Sequence, residues 1–200
     1  SELLTTLVET LDAPITNTLM GLGGISGTHE NFIGMLGMHG SVEANKTMAN
    51  ADVILALGAR FDDRVTNNVE KFCPNATIIH VDIDPTSISK TINAHIPVVG
   101  LVDIVMQQLL DELKAINYSP DKEALKEWWQ QIHVWRDMSN VSYKQVKGEK
   151  IKPQRVVEAM YRITNGEAYV ASDVGQHQMF AAQYYPFAKP RQWINSGGAG

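Results

Sequence analysis

The chain has 200 residues, 44% of them apolar and 20% charged, with a net charge of -5. That balance supports a folded core and excludes a disordered chain, and the lack of a long basic run excludes a general nucleic-acid binder. A single cysteine, Cys73, excludes an internal disulfide and points to a reducing cytoplasm. No apolar run approaches the ~18 residues of a membrane span, and no signal peptide is visible. Ser1 to Leu11 reads as the middle of a helix and the chain stops in Asn195-Ser196-Gly197-Gly198-Ala199-Gly200, so both ends read as cut from something longer.

A first helix is expected over about 2–11, with Leu3, Leu4, Leu7, Val8 and Leu11 on one face. A short strand follows at Pro14–Leu19, then a glycine-rich loop from Gly21 to Gly40. Ser41 reads as the cap of a helix to about Asn50, with Glu43 in its first turn. Asp52–Leu57 is apolar and reads as a buried strand, Asn67–Phe72 as a short helix, and β-branched Ala76–Asp82 as a second strand. Ile96–Gly100 is a short strand whose Pro97 places it at an edge. Val102, Val105, Met106, Leu109, Leu110 and Leu113 then mark a helix. These repeated strand-then-helix units imply an α/β fold, a parallel sheet flanked by helices.

Residues 117–152 differ. A helix starts at Ser119-Pro120, with Pro at its first position and Leu125, Trp128, Trp129, Ile132, Trp135 and Met138 on its apolar face. Helical spacing makes those tryptophans packing residues rather than a base-stacking platform. A polar linker runs to Lys152. A new unit opens at residue 153: a helix from Pro153, a strand at Ala168–Ser172, and the turn Asp173-Val174-Gly175-Gln176-His177 into another helix. The chain thus divides into 1–116, a helix and linker over 117–152, and the opening of a second α/β domain over 153–200.

The richest segment is Gly58-Ala59-Arg60-Phe61-Asp62-Asp63-Arg64, directly after a strand. Open α/β sheets bind ligands outside the carboxyl ends of their strands, and arginine grips phosphate or carboxylate in two parallel hydrogen bonds. The segment points to a phosphorylated cofactor or a small organic acid; the competing reading is a solvated turn of local ion pairs. Gly21-Leu22-Gly23-Gly24-Ile25-Ser26-Gly27 fails the dinucleotide spacing G-x-G-x-x-G, because Ser26 stands at its third glycine, and reads as a flexible loop. Leu36-Gly37-Met38-His39-Gly40 lies just ahead of a helix start, where backbone N–H groups face outward. In Asp82-Ile83-Asp84-Pro85, Asp82 or the Ile83 backbone suits ribose hydroxyls, and Asp84 suits a helix cap over Thr86–Lys90. No metal-ligand spacing, nucleophile constellation or acid–base carboxylate pair stands out, so any chemistry belongs to a cofactor.

Five segments in this order, Leu19–Gly23, Leu36–Gly40, Gly58–Arg64, His80–Pro85 and Val174–Gln178, resemble the acetohydroxyacid (acetolactate) synthase catalytic subunit of the bacterial biosynthetic type. The resemblance covers essentially the whole chain. It implies a thiamine-diphosphate enzyme of three domains. The chain would be most of the central, FAD-binding domain and the opening of the C-terminal cofactor domain. The glutamate that activates thiamine and the motif that ligates Mg²⁺ would lie outside it, so the chain alone is expected to be inactive. The implied reaction joins a two-carbon unit from pyruvate to a second 2-oxo acid, pyruvate or 2-oxobutyrate, in branched-chain amino-acid biosynthesis.

By the same resemblance, Thr18, Leu19, Met20, Leu36, Gly37, Met38 and His39 line the flavin. Gly58, Ala59, Arg60 and Asp62 meet the FAD ribityl–diphosphate region, with Arg60 as charge partner, and Arg64 and Val65 lie near the flavin. Asp82, Ile83 and Ser87 hold the adenosine end. Arg64 takes the carboxylate of the second substrate and Met38 packs on its alkyl group; from its adjacency in the chain, Asp63 is expected to hold the Arg64 guanidinium in place. Asp63 and Arg64 also fall where herbicidal inhibitors bind. Val174, Gly175, Gln176, His177 and Gly200 contact thiamine diphosphate. Leu101 and Ala199 depart from the family pattern, which has Gly-Asp and Leu there. Implied partners are a homodimer or higher oligomer and a small regulatory subunit, in the cytoplasm, with no nucleic acid and no membrane. The alternatives are another thiamine-diphosphate carboligase of glyoxylate or sulfoacetaldehyde type, a non-catalytic flavin- or nucleotide-binding module, and a structural domain for subunit contact.

Overall fold

Strand β3 (Val53–Leu57) lies beside β4 (Thr77–Asp82), and β4 beside β5 (Ile96–Val99), all parallel. The register runs Val53 opposite Thr77 to Leu57 opposite Val81, then Ile79 opposite Ile96 to Asp82 opposite Val99. Alternation along β3 and β4 sends Ile54, Ala56 and Ile78 into one core with Phe61, Cys73, Ala76 and Ile92. β5 is an edge strand, as Pro97 requires, since proline has no N–H to donate to a further neighbour. The computed structural model describes residues 2–138 and 142–197.

Among the described residues there are three parallel sheets: β3-β4-β5, then β1 (Ile15–Asn17) with β2 (Phe32–Met35), separate from it where one sheet was expected in the first part, and β6 (Val170–Ser172) with β7 (Trp193–Asn195) in the second unit, which was expected to be separate. Helices flank them, so the α/β class holds. β2 and β7 were not anticipated. β2 is four residues interrupted by Gly34, inside a segment whose glycines read as loop, and the β1–β2 register slips between Ile15 and Asn17.

Helices α1 (Glu2–Leu11) and α4 (Val102–Ala115) pack on each other, burying Leu7, Val8, Val105 and Met106. α2 (Val42–Asn50) begins where Ser41 predicts: its Oγ accepts from Ala44 N–H at 3.1 Å and donates to Ile33 O at 2.8 Å. α5 (Lys122–Asp137) lies against α2, with Ile132 fully buried beside Ile33 and Ala44. Trp128 and Trp135 meet edge to face at 5.6 Å, and Trp129 Nε1 donates to Asp12 O at 3.2 Å, so the tryptophans are packing residues. α6 (Pro153–Ile163) packs on α7 (Gln176–Tyr184).

Several boundaries move. Asp121, not Pro120, starts α5: its carboxylate accepts from Glu123 and Ala124 N–H, which a proline one residue earlier cannot do. Thr86–Lys90 is a turn, not a helix, and Asp84 closes it by accepting from the Thr86 N–H and Oγ1. The expected helix at 67–72 is a single 3-10 turn, Val69–Lys71, and the short α3 (Asp63–Thr66) precedes it.

The loop Gly21–Gly27 is packed, not free. Gly27 N–H donates to Phe187 O at 2.8 Å. A Cβ on Gly23, whose φ is +85°, would stand 2.3 Å from Lys189 O, and one on Gly27 would stand 2.7 Å from Pro186 Cα. These glycines let two backbones touch. Leu22 and Met35 share one core with Val170, Ala182, Tyr185, Phe187 and Trp193, which ties the first half of the chain to the last.

Candidate functional site

The segments singled out in the sequence lie at or just past the C-terminal ends of strands: Thr18–Met20 after β1, Leu36–His39 after β2, Gly58–Val65 after β3, Asp82–Ser87 from the last residue of β4 and Val174–His177 after β6. The ligand edge of a parallel sheet lies there. Direct contacts join these ends. Leu36 N–H donates to Asn17 O at 3.0 Å, Met38 N–H to Arg64 O at 2.8 Å and Gly58 N–H to Val81 O at 2.8 Å. From the last segment, Gln183 Nε2 donates to His39 O at 2.7 Å, and a Cβ on Gly197 would lie 3.5 Å from Met20 Sδ. Gly200 and Ala199 lie outside the described residues.

After β3 the chain turns through Gly58 and Ala59 to Phe61, which buries its ring edge-to-face on His80 at 5.0 Å. That anchor leaves Arg60 on the outside, its side chain 78% exposed and ion-paired with Asp62. Asp62 also caps α3, accepting from Arg64 N–H at 3.1 Å. That backbone hydrogen bond, then a side-chain hydrogen bond with Asp63 and the positive charges of Arg60 and Arg64, hold the Asp62 carboxyl below its ordinary value against its partial burial. The expected clamp of Asp63 on Arg64 is not formed: no ion pair joins them among the described residues. Neighbours in one helical turn point apart, whereas Arg60 and Asp62 flank a bend. Arg64 is exposed, and its backbone, not its side chain, is what the fold fixes.

The turn Leu36–Gly40 rests on Arg64 and Val65. A Cβ on Gly37, with φ +104°, would come 2.8 Å from Arg64 O. Asn45 in α2 holds the turn from the other side: its Oδ1 accepts from Gly37 N–H at 3.1 Å and its Nδ2 donates to Gly37 O at 2.9 Å. Met38 and His39 are left exposed at the top. Sequence reasoning missed Asn45, although a helix-interior asparagine is itself a signal, since its amide competes for backbone groups.

At the end of β4, Asp82 Oδ1 accepts from Asp84 N–H at 2.9 Å, and Ile83 is 63% exposed. Asp84 sits below its ordinary value because the Thr86 N–H, and then its hydroxyl, donate to it. Ser87 lies in the same turn, half-buried. At the other end of the chain, Val174 N–H is held by Asp173 Oδ1 at 2.7 Å, Gly175 caps α7, and Gln176 and His177 are exposed in its first turn. Asn195 was also missed. It accepts from Gln178 Nε2 at 2.9 Å and from Gly197 N–H at 2.8 Å, and donates to Ser172 O at 3.0 Å, so it fixes the turn after β7 to both β6 and α7.

Chemically, the rim offers two exposed guanidinium groups, backbone N–H groups and exposed apolar side chains at Met20, Met38, Ile83 and Val174. Guanidinium groups suit phosphate or carboxylate, and the apolar side chains suit a flat ring. Among the described residues no group of three or more His, Cys, Asp or Glu stands ready to hold a metal ion. No described helix is long and apolar enough to cross a membrane.

Residues 1–109 match the family Thiamine pyrophosphate enzyme, central domain, and residues 173–200 match Thiamine pyrophosphate enzyme, C-terminal TPP binding domain. The chain is 58% identical over 193 residues to the acetolactate synthase isozyme 3 large subunit of Escherichia coli K12, covering 96% of the chain and 33% of that protein. It is 54% identical over 200 residues to the acetolactate synthase large subunit of Haemophilus influenzae, covering 100% of the chain and 35% of the relative. With acetolactate synthase of Mycobacterium leprae it shares 39% over 200 residues, 100% of the chain and 32% of the relative. The chain thus spans about a third of the length of the curated relatives it matches. With its central-domain match covering more than half of its residues and a thiamine-binding match at its end, the chain belongs to the thiamine pyrophosphate enzyme family.

Proposed function

We propose that the chain works within an acetolactate synthase large subunit, a transferase that joins a two-carbon unit from pyruvate to a second 2-oxo acid and releases carbon dioxide. The observation that carries this is the 58% identity to such a subunit along 96% of the chain, which includes every segment on the rim. Residues 1–116 then form the central domain, 117–152 a helix and linker, and 153–200 the opening of the thiamine-diphosphate domain.

On this reading the rim holds two organic cofactors. The residues present fit FAD: Arg60 offsets the diphosphate charge, with Gly58 and Ala59 beside it, while Asp62 steadies Arg60. Met20 and Met38 supply apolar surface for the flavin ring, with Thr18, Leu19, Leu36, Gly37, His39 and Val65 around it. Asp82 or the Ile83 backbone takes the adenosine end, near Ser87. Thiamine diphosphate, when bound, supplies the electron sink for decarboxylation, and Val174–His177 form the part of its site carried by this chain. No residue here is assigned to Mg²⁺.

Arg64 receives the carboxylate of the acceptor 2-oxo acid, because an exposed guanidinium on a backbone-fixed turn can present two parallel donors. Met38 lies on the adjoining turn and packs on the acceptor's alkyl group. The subunit works in the cytoplasm as a homodimer or higher oligomer and with a small regulatory subunit; the relatives' designation "large subunit" supports the last of these.

The test is product analysis of the full-length subunit given pyruvate alone and pyruvate with 2-oxobutyrate. Acetolactate and acetohydroxybutyrate are expected. Products from glyoxylate or sulfoacetaldehyde with none from these acids would favour a different carboligase, and no product with tight flavin binding would favour a non-catalytic module.

A further inference from the structure

We propose that Gln183 is a positioning residue that couples helix α7 to the turn Leu36–His39, and so sets where Met38 and Arg64 meet the acceptor. The acceptor roles rest on the function proposed above; the coupling rests on geometry. Gln183 Nε2 donates to His39 O at 2.7 Å across 144 residues of sequence. The same turn is held from the first half of the chain by Asn45 on Gly37 and by Arg64 O on the Met38 N–H. From the last segment, Gln183 anchors it through the His39 carbonyl.

α7 is itself well fixed. Ala182 is buried in the core shared by both halves, and Gln178 is locked to Asn195 at 2.9 Å. At its N-terminal end α7 carries Gly175–His177, the loop toward thiamine diphosphate. One rigid helix therefore spans from that loop to the His39 carbonyl. Gln183 is exposed and adds little to the core, so its amide acts on the turn more than on the fold. The turn in turn bears on Arg64 through the Met38 N–H.

Two variants of the full-length subunit test the coupling. Gln183→Glu sets an acceptor against the His39 carbonyl, and Gln183→Lys restores a donor of similar reach. The Glu variant is expected to speed amide exchange at Met38 and to raise the KM for 2-oxobutyrate, each by about 3- to 10-fold. Thiamine-diphosphate affinity should stay within about 2-fold, and the Lys variant should restore both readouts. Unchanged exchange and KM in the Glu variant overturn the proposal. So does a rise in KM accompanied by a loss of cofactor affinity and a lower melting temperature that Lys does not rescue, which marks a packing role. If the wild type forms no carboligation product, the assigned function fails while the exchange arm still decides the coupling.

Discussion

Two glycine-rich loops follow neighbouring strands and look alike in sequence, yet they do different work. In Gly21–Gly27 the missing side chains let the backbone lie against Pro186–Lys189, and Leu22 seals a core shared with Phe187 and Trp193. In Leu36–Gly40 the missing side chain at Gly37 lets the turn lie against Arg64 O, while Met38 and His39 face outward. The first loop is a joint and the second a site. Glycine announces a close approach; only the partner it approaches says what the approach is for.

Substitutions in the full-length subunit separate the two loops. The largest effect is expected at Arg64: Arg64→Ala should weaken use of the acceptor by about 2–5 kcal/mol in kcat/KM with the melting temperature nearly unchanged, since the side chain is exposed. A normal acceptor kcat/KM would remove Arg64 from the site. Gly23→Ala should instead cost about 2–4 kcal/mol of unfolding free energy, from the positive φ and the Lys189 carbonyl in its way, measured by denaturant titration. If that variant is as stable as wild type, the joint is not as close as described.

Met38→Ala is expected to shift the preference between pyruvate and 2-oxobutyrate by about 1–2 kcal/mol, read as a product ratio in competition, because a single methyl group in an apolar contact is worth little more. The smallest effect is a pH dependence. The Asp62 carboxyl is held below its ordinary value of 3.8, so its cap on α3 and its pair with Arg60 stabilise the fold fully above that pH. The contribution is lost as pH falls through the lower folded value. Asp62→Asn should therefore be less stable than wild type near neutral pH by under about 1 kcal/mol, with the two stabilities converging in strong acid. A gap that widens on acidification would reverse the assignment.

Legibility in the sequence followed the range of the interactions. β3, β4, β5, α1, α2 and α4 were readable because apolar period, a Ser cap or an edge proline is written within a few residues. β2 was hidden by Gly34 and by its length of four, and α3 by being a single turn. The positions of the rim segments were readable too, since loops after parallel strands announce themselves. What joins the rim was not. Gln183 on His39, Asn195 on Ser172 and Gly27 on Phe187 are contacts across many residues between side chains or backbones with no local pattern. The Asp63–Arg64 pairing was read from adjacency, and the fold paired Arg60 with Asp62 instead.

The most direct measurement is a calorimetric titration of flavin-stripped full-length subunit with FAD, run beside Arg60→Ala. Saturable binding near one FAD per chain, weakened at least several-fold by the substitution, is expected if the loop after β3 neutralises the diphosphate. Equal affinity in the two proteins, or no binding to a folded wild type, would contradict the placement of the cofactor on this rim.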